Sequence, residues 1–114
     1  MSNDHIDDHQ VSLEVRRLFT ELEHNIKAIN REKISDKTGG VSKDSFMNVA
    51  ITVANLRANY LAKVISMQNK ESLSDDDISS LRSTRTAFEE ALEGYSALQH
   101  ALKRQYLQLP DETA

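Results

Sequence analysis

The chain lacks cysteine and tryptophan altogether, and its 114 residues include only three glycines and one proline. Because no cysteine is present, disulfides, thiolate metal sites and cysteine nucleophiles are excluded. The scarcity of glycine and proline, which interrupt helices, favours helix throughout the chain. No long run alternates polar and apolar residues, so no sheet is expected. The length is that of a single domain with a modest hydrophobic core.

Charge and hydropathy narrow the classes of partner. The formal net charge of −4 disfavours a general nucleic-acid binder. A helical nucleic-acid regulator would depend on a small basic strip formed by Arg16, Arg17, Lys27, Arg31 and Lys33. The polar N-terminus does not have the form of a signal peptide, and the middle apolar segment carries too many polar residues for a membrane span. We therefore expect a cytoplasmic protein with no membrane partner.

Hydropathy divides the chain into a flexible polar leader, one helical domain and a short tail, over residues 1–9, 10–109 and 110–114. Within the domain, three helices are predicted over residues 10–34, 43–68 and 75–109. The first helix has one apolar stripe with three- and four-residue steps, formed by Val11, Val15, Leu18, Phe19, Leu22, Ile26 and Ile29. The predicted fold class is all-α, with three long antiparallel helices in a helical bundle that oligomerisation completes.

The middle helix is the most informative segment, because it is apolar almost all the way round. Such a helix is normally surrounded by protein or lipid, and two neighbours can cover only two of its sides. The remaining apolar surface predicts contact with another chain. One line of this helix is polar but mostly uncharged, which suits either a semi-buried interface or a solvent edge. That line contains Asn48, Thr52, Asn55, Asn59, Lys63 and Ser66.

Local signals mark the helix ends. Gly39 and Gly40 supply the positive φ that a helix exit often needs. Ser42 is a favourable N-cap for the middle helix, and Ser74 for the third. Asp77 completes a box-like pattern with Ser74, and the negative charge there complements the positive end of the helix dipole.

The third helix has a heptad pattern that Arg85 and Gln99 interrupt, and Arg57 lies amid apolar residues of the middle helix. Polar residues in such positions cost stability but can fix register and oligomeric state. Alternatively, each arginine buries only its stem and keeps its head in water. The three tyrosines are interpreted as core or interface residues. The predicted interface set is Asn48, Asn55, Arg57, Asn59, Tyr60, Arg85, Tyr95, Gln99 and Tyr106.

A short string on the first helix, His24-Asn25-Ile26-Lys27-Ala28, has the form H-x-x-K-small. It resembles the motif around the phosphorylated histidine of histidine-phosphotransfer domains, which are acidic helical bundles of about this length. The resemblance implies phosphoryl transfer to His24, with Lys27 offsetting the new charge. It covers five residues. Ala28 stands where the family usually has glycine, and the histidine lies here on the first long helix.

The leader holds two histidines, His5 and His9, spaced as on one face of a helix. Such a pair can bind a metal, but Ile6 occupies the place of the catalytic glutamate in the zinc-protease motif. We interpret the pair as chance histidines, and no metal or cofactor is predicted.

These features favour a non-enzymatic interaction module, which could be an adaptor, a small regulator or a chaperone-like subunit. Its expected partners are a second copy, in a homodimer, and an unidentified protein. No nucleophile stands beside an acid/base partner in the sequence, so no enzyme activity is expected. The alternative is a histidine-phosphotransfer-like signalling domain that uses His24 and Lys27.

Overall fold

The structure is a computed structural model that describes residues 8–110. Over those residues it contains three α-helices and no strand, which confirms the all-α prediction. The helices are α1 (Asp8–Thr38), α2 (Lys43–Ile65) and α3 (Asp75–Lys103). The helix α1 is longer at both ends than the sequence predicts, and it takes in the last two residues of the supposed leader. The helices α2 and α3 both end earlier than predicted.

The N-termini of α2 and α3 form as their sequences indicate. The Ser42 side chain accepts a hydrogen bond from the Ser45 backbone N–H, and the Ser45 hydroxyl accepts one from the Ser42 N–H. Ser74 and Asp77 make the same reciprocal pair at the start of α3. Each capping box satisfies two backbone N–H groups that would otherwise lack a partner.

The early ends of α2 and α3 have backbone causes. After Ile65, the Met67 N–H donates to the Val64 carbonyl, so the ladder tightens to three-residue steps and stops. After Lys103, Gln105 adopts a positive φ of 62°. The N–H groups of Gln105 and Tyr106 then donate to the carbonyls of Leu102 and Ala101, which is a Schellman motif. The predicted continuation of α3 to residue 109 is therefore wrong, because the chain turns away from the helix axis.

The helices α2 and α3 form an antiparallel hairpin, and its aromatic contacts show the register. Phe46, near the start of α2, meets the edge of Tyr95, with ring centroids 6.4 Å apart. Further along, Tyr60 stacks on Phe88 at 6.2 Å. Between these aromatic pairs, Val53 is 5% exposed. The inner face of α2 therefore packs on α3, as expected for a bundle.

The helix α1 stands apart from the hairpin. No Cα atom of α1 lies within 8 Å of a Cα atom of α2 or α3. Gly39 and Gly40, with φ values of 76° and 109°, separate α1 from α2 as predicted. The chain has a radius of gyration of 23.7 Å, against about 13 Å for a compact domain of this length. Helix packing within residues 8–110 is therefore confined to the α2–α3 hairpin, and neither of these helices covers α1.

Candidate interaction surface

The predicted stripe of α1 lies in solvent. All seven of its members are at least 39% exposed, and Phe19 reaches 58%. We call this set the α1 stripe: Val11, Val15, Leu18, Phe19, Leu22, Ile26 and Ile29. Monomeric soluble proteins rarely leave so continuous an apolar surface uncovered, so the α1 stripe is a candidate contact surface.

The opposite side of α1 contacts the chain itself. The Lys27 ammonium donates to the Gln105 side-chain carbonyl at 3.1 Å, and the Arg31 Nε donates to the Gln105 backbone carbonyl at 2.7 Å. Leu107, which is 6% exposed, lies in a cleft beside the end of α1, with Ile34. At 100° per residue, Lys27 and Arg31 lie on the other side of the helix from the α1 stripe. The segment after α3 therefore holds α1 with its apolar stripe turned outward.

The helix α2 has a second apolar face, away from α3. Its residues repeat at four- and three-residue steps, which is the spacing of a heptad. We call this set the α2 outer stripe: Met47, Ile51, Ala54, Ala58, Leu61 and Ile65. Every member is exposed, and Ile65 is 60% exposed. The apolar character that the sequence shows around α2 thus divides into one face for α3 and one open face.

Two predicted interface tyrosines lie inside the hairpin. Tyr60 and Tyr95 are half-buried and contact Phe88 and Phe46 respectively. Arg57 is exposed, and its guanidinium carbon lies 5.1 Å from the centre of the Phe88 ring, which is a cation–π contact. The charged head of Arg57 therefore packs over the Phe88 ring of its own hairpin while the residue remains exposed, a contact that neither alternative drawn from the sequence describes.

The other predicted interface residues have different surroundings. Asn48, Asn55 and Asn59 are exposed along α2, between its two apolar faces. Arg85 and Gln99 are also exposed, so the packed seam of α3 does not include them. The Arg85 Nε lies 3.9 Å from a Glu89 carboxylate oxygen on the same helix. Tyr106 is half-buried in the turn after α3.

A cleft of about 410 Å³ lies between α1 and the turn after α3. It is lined by His24 and Lys27, the two residues on which the resemblance to histidine-phosphotransfer domains depends. Lys103 and Arg104 approach it from the α3 side, and Glu23 is its acidic member. His24 itself is exposed. The cleft is therefore accessible and predominantly basic, with an electrostatic preference for an anion.

No group of three or more histidine, cysteine or acidic side chains could hold a metal ion within residues 8–110. His9 falls in the first turn of α1, while His5 lies outside the described residues. In that same range, no helix combines the length and apolar character needed to cross a membrane.

Sequence reasoning missed four residues that shape this surface. Ala54 and Ala58 continue the α2 outer stripe, but alanine is common in helices and gives little signal alone. Gln105 turns the chain with a left-handed conformation that glycine would usually mark. Leu107 lies within the predicted third helix, so its burial in a cleft beside the end of α1 could not be foreseen. The four- and three-residue spacing through the alanines is the one signal available in the sequence.

Comparison with known proteins adds no relative: no protein-family model, curated protein or solved structure matches this chain. The candidate surface therefore has to be interpreted from its own chemistry.

Proposed function

We propose that this protein is a non-enzymatic helical interaction module that associates with itself. One observation carries the proposal: within residues 8–110, only Val53 and Leu107 are buried hydrophobic residues, while twelve large apolar side chains are exposed. Hydrophobic burial is the main stabilising term in folding, and a single chain of this form has little of it. A second subunit would supply the missing burial.

The accessible surface supports the same proposal. The chain exposes 9288 Å², whereas a compact monomer of its mass exposes about 6,300 Å². The difference is about 3,000 Å². A standard protein interface removes about 800 Å² from each partner, so even half of that difference would suffice for a stable dimer.

Light scattering on the purified chain at micromolar concentration tests the proposal. The expected mass is at least twice the 12.9 kDa of one chain. A paired variant, Leu18→Glu with Phe19→Glu, places two charges on the α1 stripe and should shift the population toward monomer. The matched control, Arg16→Gln with Arg17→Gln, changes the net charge by the same amount outside the stripe and should retain the dimer. A wild-type monomer at every concentration would refute self-association.

The unidentified protein partner and the cytoplasmic location remain predictions from the sequence. An adaptor, regulator or chaperone-like subunit would present its polar surfaces after the apolar stripes are covered. The exposed asparagines of α2, Asn48, Asn55 and Asn59, are suitable for such a contact because amides are less costly to desolvate than charges.

Histidine phosphotransfer is a second candidate, and the basic cleft favours it. His24 is exposed there beside Lys27, Lys103 and Arg104. The imidazole nitrogen would attack an aspartyl phosphate of a donor protein. A P–N bond would form as the P–O bond to the donor carboxylate breaks, and the imidazole N–H proton would pass to solvent. The surrounding cations would offset the added charge.

Incubation with phosphorylated receiver proteins separates the two candidates. Phosphotransfer predicts acid-labile phosphate on the wild type, none on His24→Gln, and unchanged labelling of His100→Gln, an exposed histidine on α3. Absence of label on all three chains would exclude transfer from those donors and leave the interaction module.

A further inference from the structure

A heptad-spaced series of positions runs along each open apolar stripe; on α1 the series contains five members of the stripe together with Asn25, and it leaves out Phe19 and Ile26. The two series have the same four- and three-residue steps, over positions 11, 15, 18, 22, 25 and 29 of α1 and positions 47, 51, 54, 58, 61 and 65 of α2. Each series spans about 27 Å of helix. Asn25 is the one polar member of these twelve positions. Heptad-spaced series of equal length are what two helices need for continuous side-by-side packing.

The two series also complement each other in bulk. At the centre of the α1 series are Leu18 and Leu22, while the centre of the α2 series holds Ala54 and Ala58. Both pairs are exposed in the single chain. A large residue opposite a small one lets two helices approach closely and leaves no void, so each leucine fits over an alanine.

Charge at the edge of the stripes selects the orientation. Glu21 lies at one edge of the α1 stripe, and Arg57 lies at the corresponding edge of the α2 outer stripe. In an antiparallel pair with Leu18 over Ala58, these corresponding edges face each other and Glu21 comes opposite Arg57. Interhelical pairs of this kind set the orientation of packed helices.

We propose that α1 of one copy packs antiparallel on the α2 outer stripe of a second copy, and that α1 of the second copy packs in the same way on the α2 outer stripe of the first. The inference rests on the proposed self-association and specifies its geometry. A second copy fits because the chain carries both complementary surfaces, and because its own α1 is held away from α2 through Lys27 and Arg31. The exchange is reciprocal, so the assembly closes as a twofold dimer.

The absence of cysteine allows a direct test by cross-linking. Ser12 flanks the α1 stripe, and in the antiparallel pair it comes opposite Ala62 of the other copy. Both side chains are small and exposed. Chains carrying Ser12→Cys and Ala62→Cys, with tags of different size, are mixed and treated with a short bis-maleimide. We expect a cross-linked product that contains both tags.

The matched control replaces Ala62→Cys with Asn48→Cys. Position 48 lies on the same edge of α2 but about 21 Å away along the helix. Ser12→Cys should then give little product with Asn48→Cys. Efficient linkage to position 48 but not to position 62 would overturn the proposed antiparallel register.

A charge exchange provides an independent readout that does not require new cysteines. Glu21→Arg alone, or Arg57→Glu alone, should weaken the dimer at least about threefold, because like charges then face each other. The double variant Glu21→Arg with Arg57→Glu should recover most of the loss. Equal and additive losses would show that the two residues do not meet.

The outcomes separate this inference from the proposed function. A monomer by light scattering would refute both. If a dimer forms but position 12 links only to position 12, or no variant pair links, the proposal of self-association would stand. The packing of α1 on the α2 outer stripe of the other copy would then be refuted. Linkage of Ser12→Cys to Ala62→Cys together with charge rescue would establish the reciprocal antiparallel pair.

Discussion

The Leu22→Ala variant tests whether Leu22 packs against a second copy or within its own chain. Leu22 is at the centre of the α1 stripe and is 42% exposed. In the single chain, loss of a half-exposed side chain away from any cap or cluster should change stability by no more than about 0.5 kcal/mol. In the proposed dimer, the same side chain would be covered by the other copy, so its removal should act on association.

The magnitude follows from the exposed fraction. Full burial of a leucine side chain contributes about 1.5–3 kcal/mol, and burial of the remaining 42% contributes about 0.6–1.3 kcal/mol at each contact. The twofold dimer contains the contact twice, so Leu22→Ala should cost about 1–3 kcal/mol of association. This corresponds to a dimer dissociation constant raised about 10- to 100-fold.

Sedimentation equilibrium measures that dissociation constant, and thermal unfolding at two chain concentrations gives a second measure. At high concentration, the melting temperature of Leu22→Ala should lie below that of the wild type, because dimerisation stabilises only the folded chain. The difference should shrink on dilution. Arg17→Ala, which changes an exposed residue on another side of α1, should leave the dissociation constant nearly unchanged.

A loss of stability that persists unchanged at high dilution, with an unaltered dissociation constant, would refute the reasoning. It would mean that Leu22 is buried within its own chain in solution. The α1 stripe would then be closed intramolecularly, and the open arrangement of α1 would not be the solution form.

Three further predictions concern the single chain, each measured by urea unfolding at fixed chain concentration. Leu107→Ala should destabilise by about 2–5 kcal/mol, because Leu107 is 6% exposed and holds the end of α1. Ser74→Ala should cost about 1 kcal/mol, since it removes the N-cap of α3. The hydrogen bond from the Ser74 backbone N–H, and then that from the Lys70 ammonium, hold the pKa of the Asp77 carboxyl below its usual range. This carboxylate therefore stabilises the fold fully above about pH 4, and the contribution is lost as pH falls through the lower folded pKa, so Asp77→Asn should flatten that acid dependence.

Local features of this fold could be predicted from the sequence, because each depends on a few neighbouring residues. The N-cap at Ser42 and the capping box of Ser74 with Asp77 form as expected. Gly39 and Gly40 adopt positive φ. The all-α class follows from composition, which acts over the whole chain.

The arrangement of α1 could not be predicted, because it depends on contacts distant in sequence. Periodicity places the α1 stripe on one side of a helix, but it does not say which element covers that side. The chain instead uses the opposite, polar side, through Lys27, Arg31 and Gln105. The left-handed turn at Gln105 that makes this possible is not marked by glycine, so the heptad pattern of α3 was extended past the true end of the helix.

The two apolar faces of α2 would link folding to the proposed self-association. Its inner face, with Val53, packs on α3 within the chain, while its outer stripe stays open. We expect a chain with so little burial of its own to have a small free energy of unfolding, so the surface that a second copy would cover in the proposed dimer should contribute a large share of the total stability. Stability should then rise with chain concentration, as it does for obligate dimers. It follows that substitutions on the outer stripe, such as Leu61→Glu, should reduce folded protein as well as association, whereas substitutions at the exposed asparagines should not.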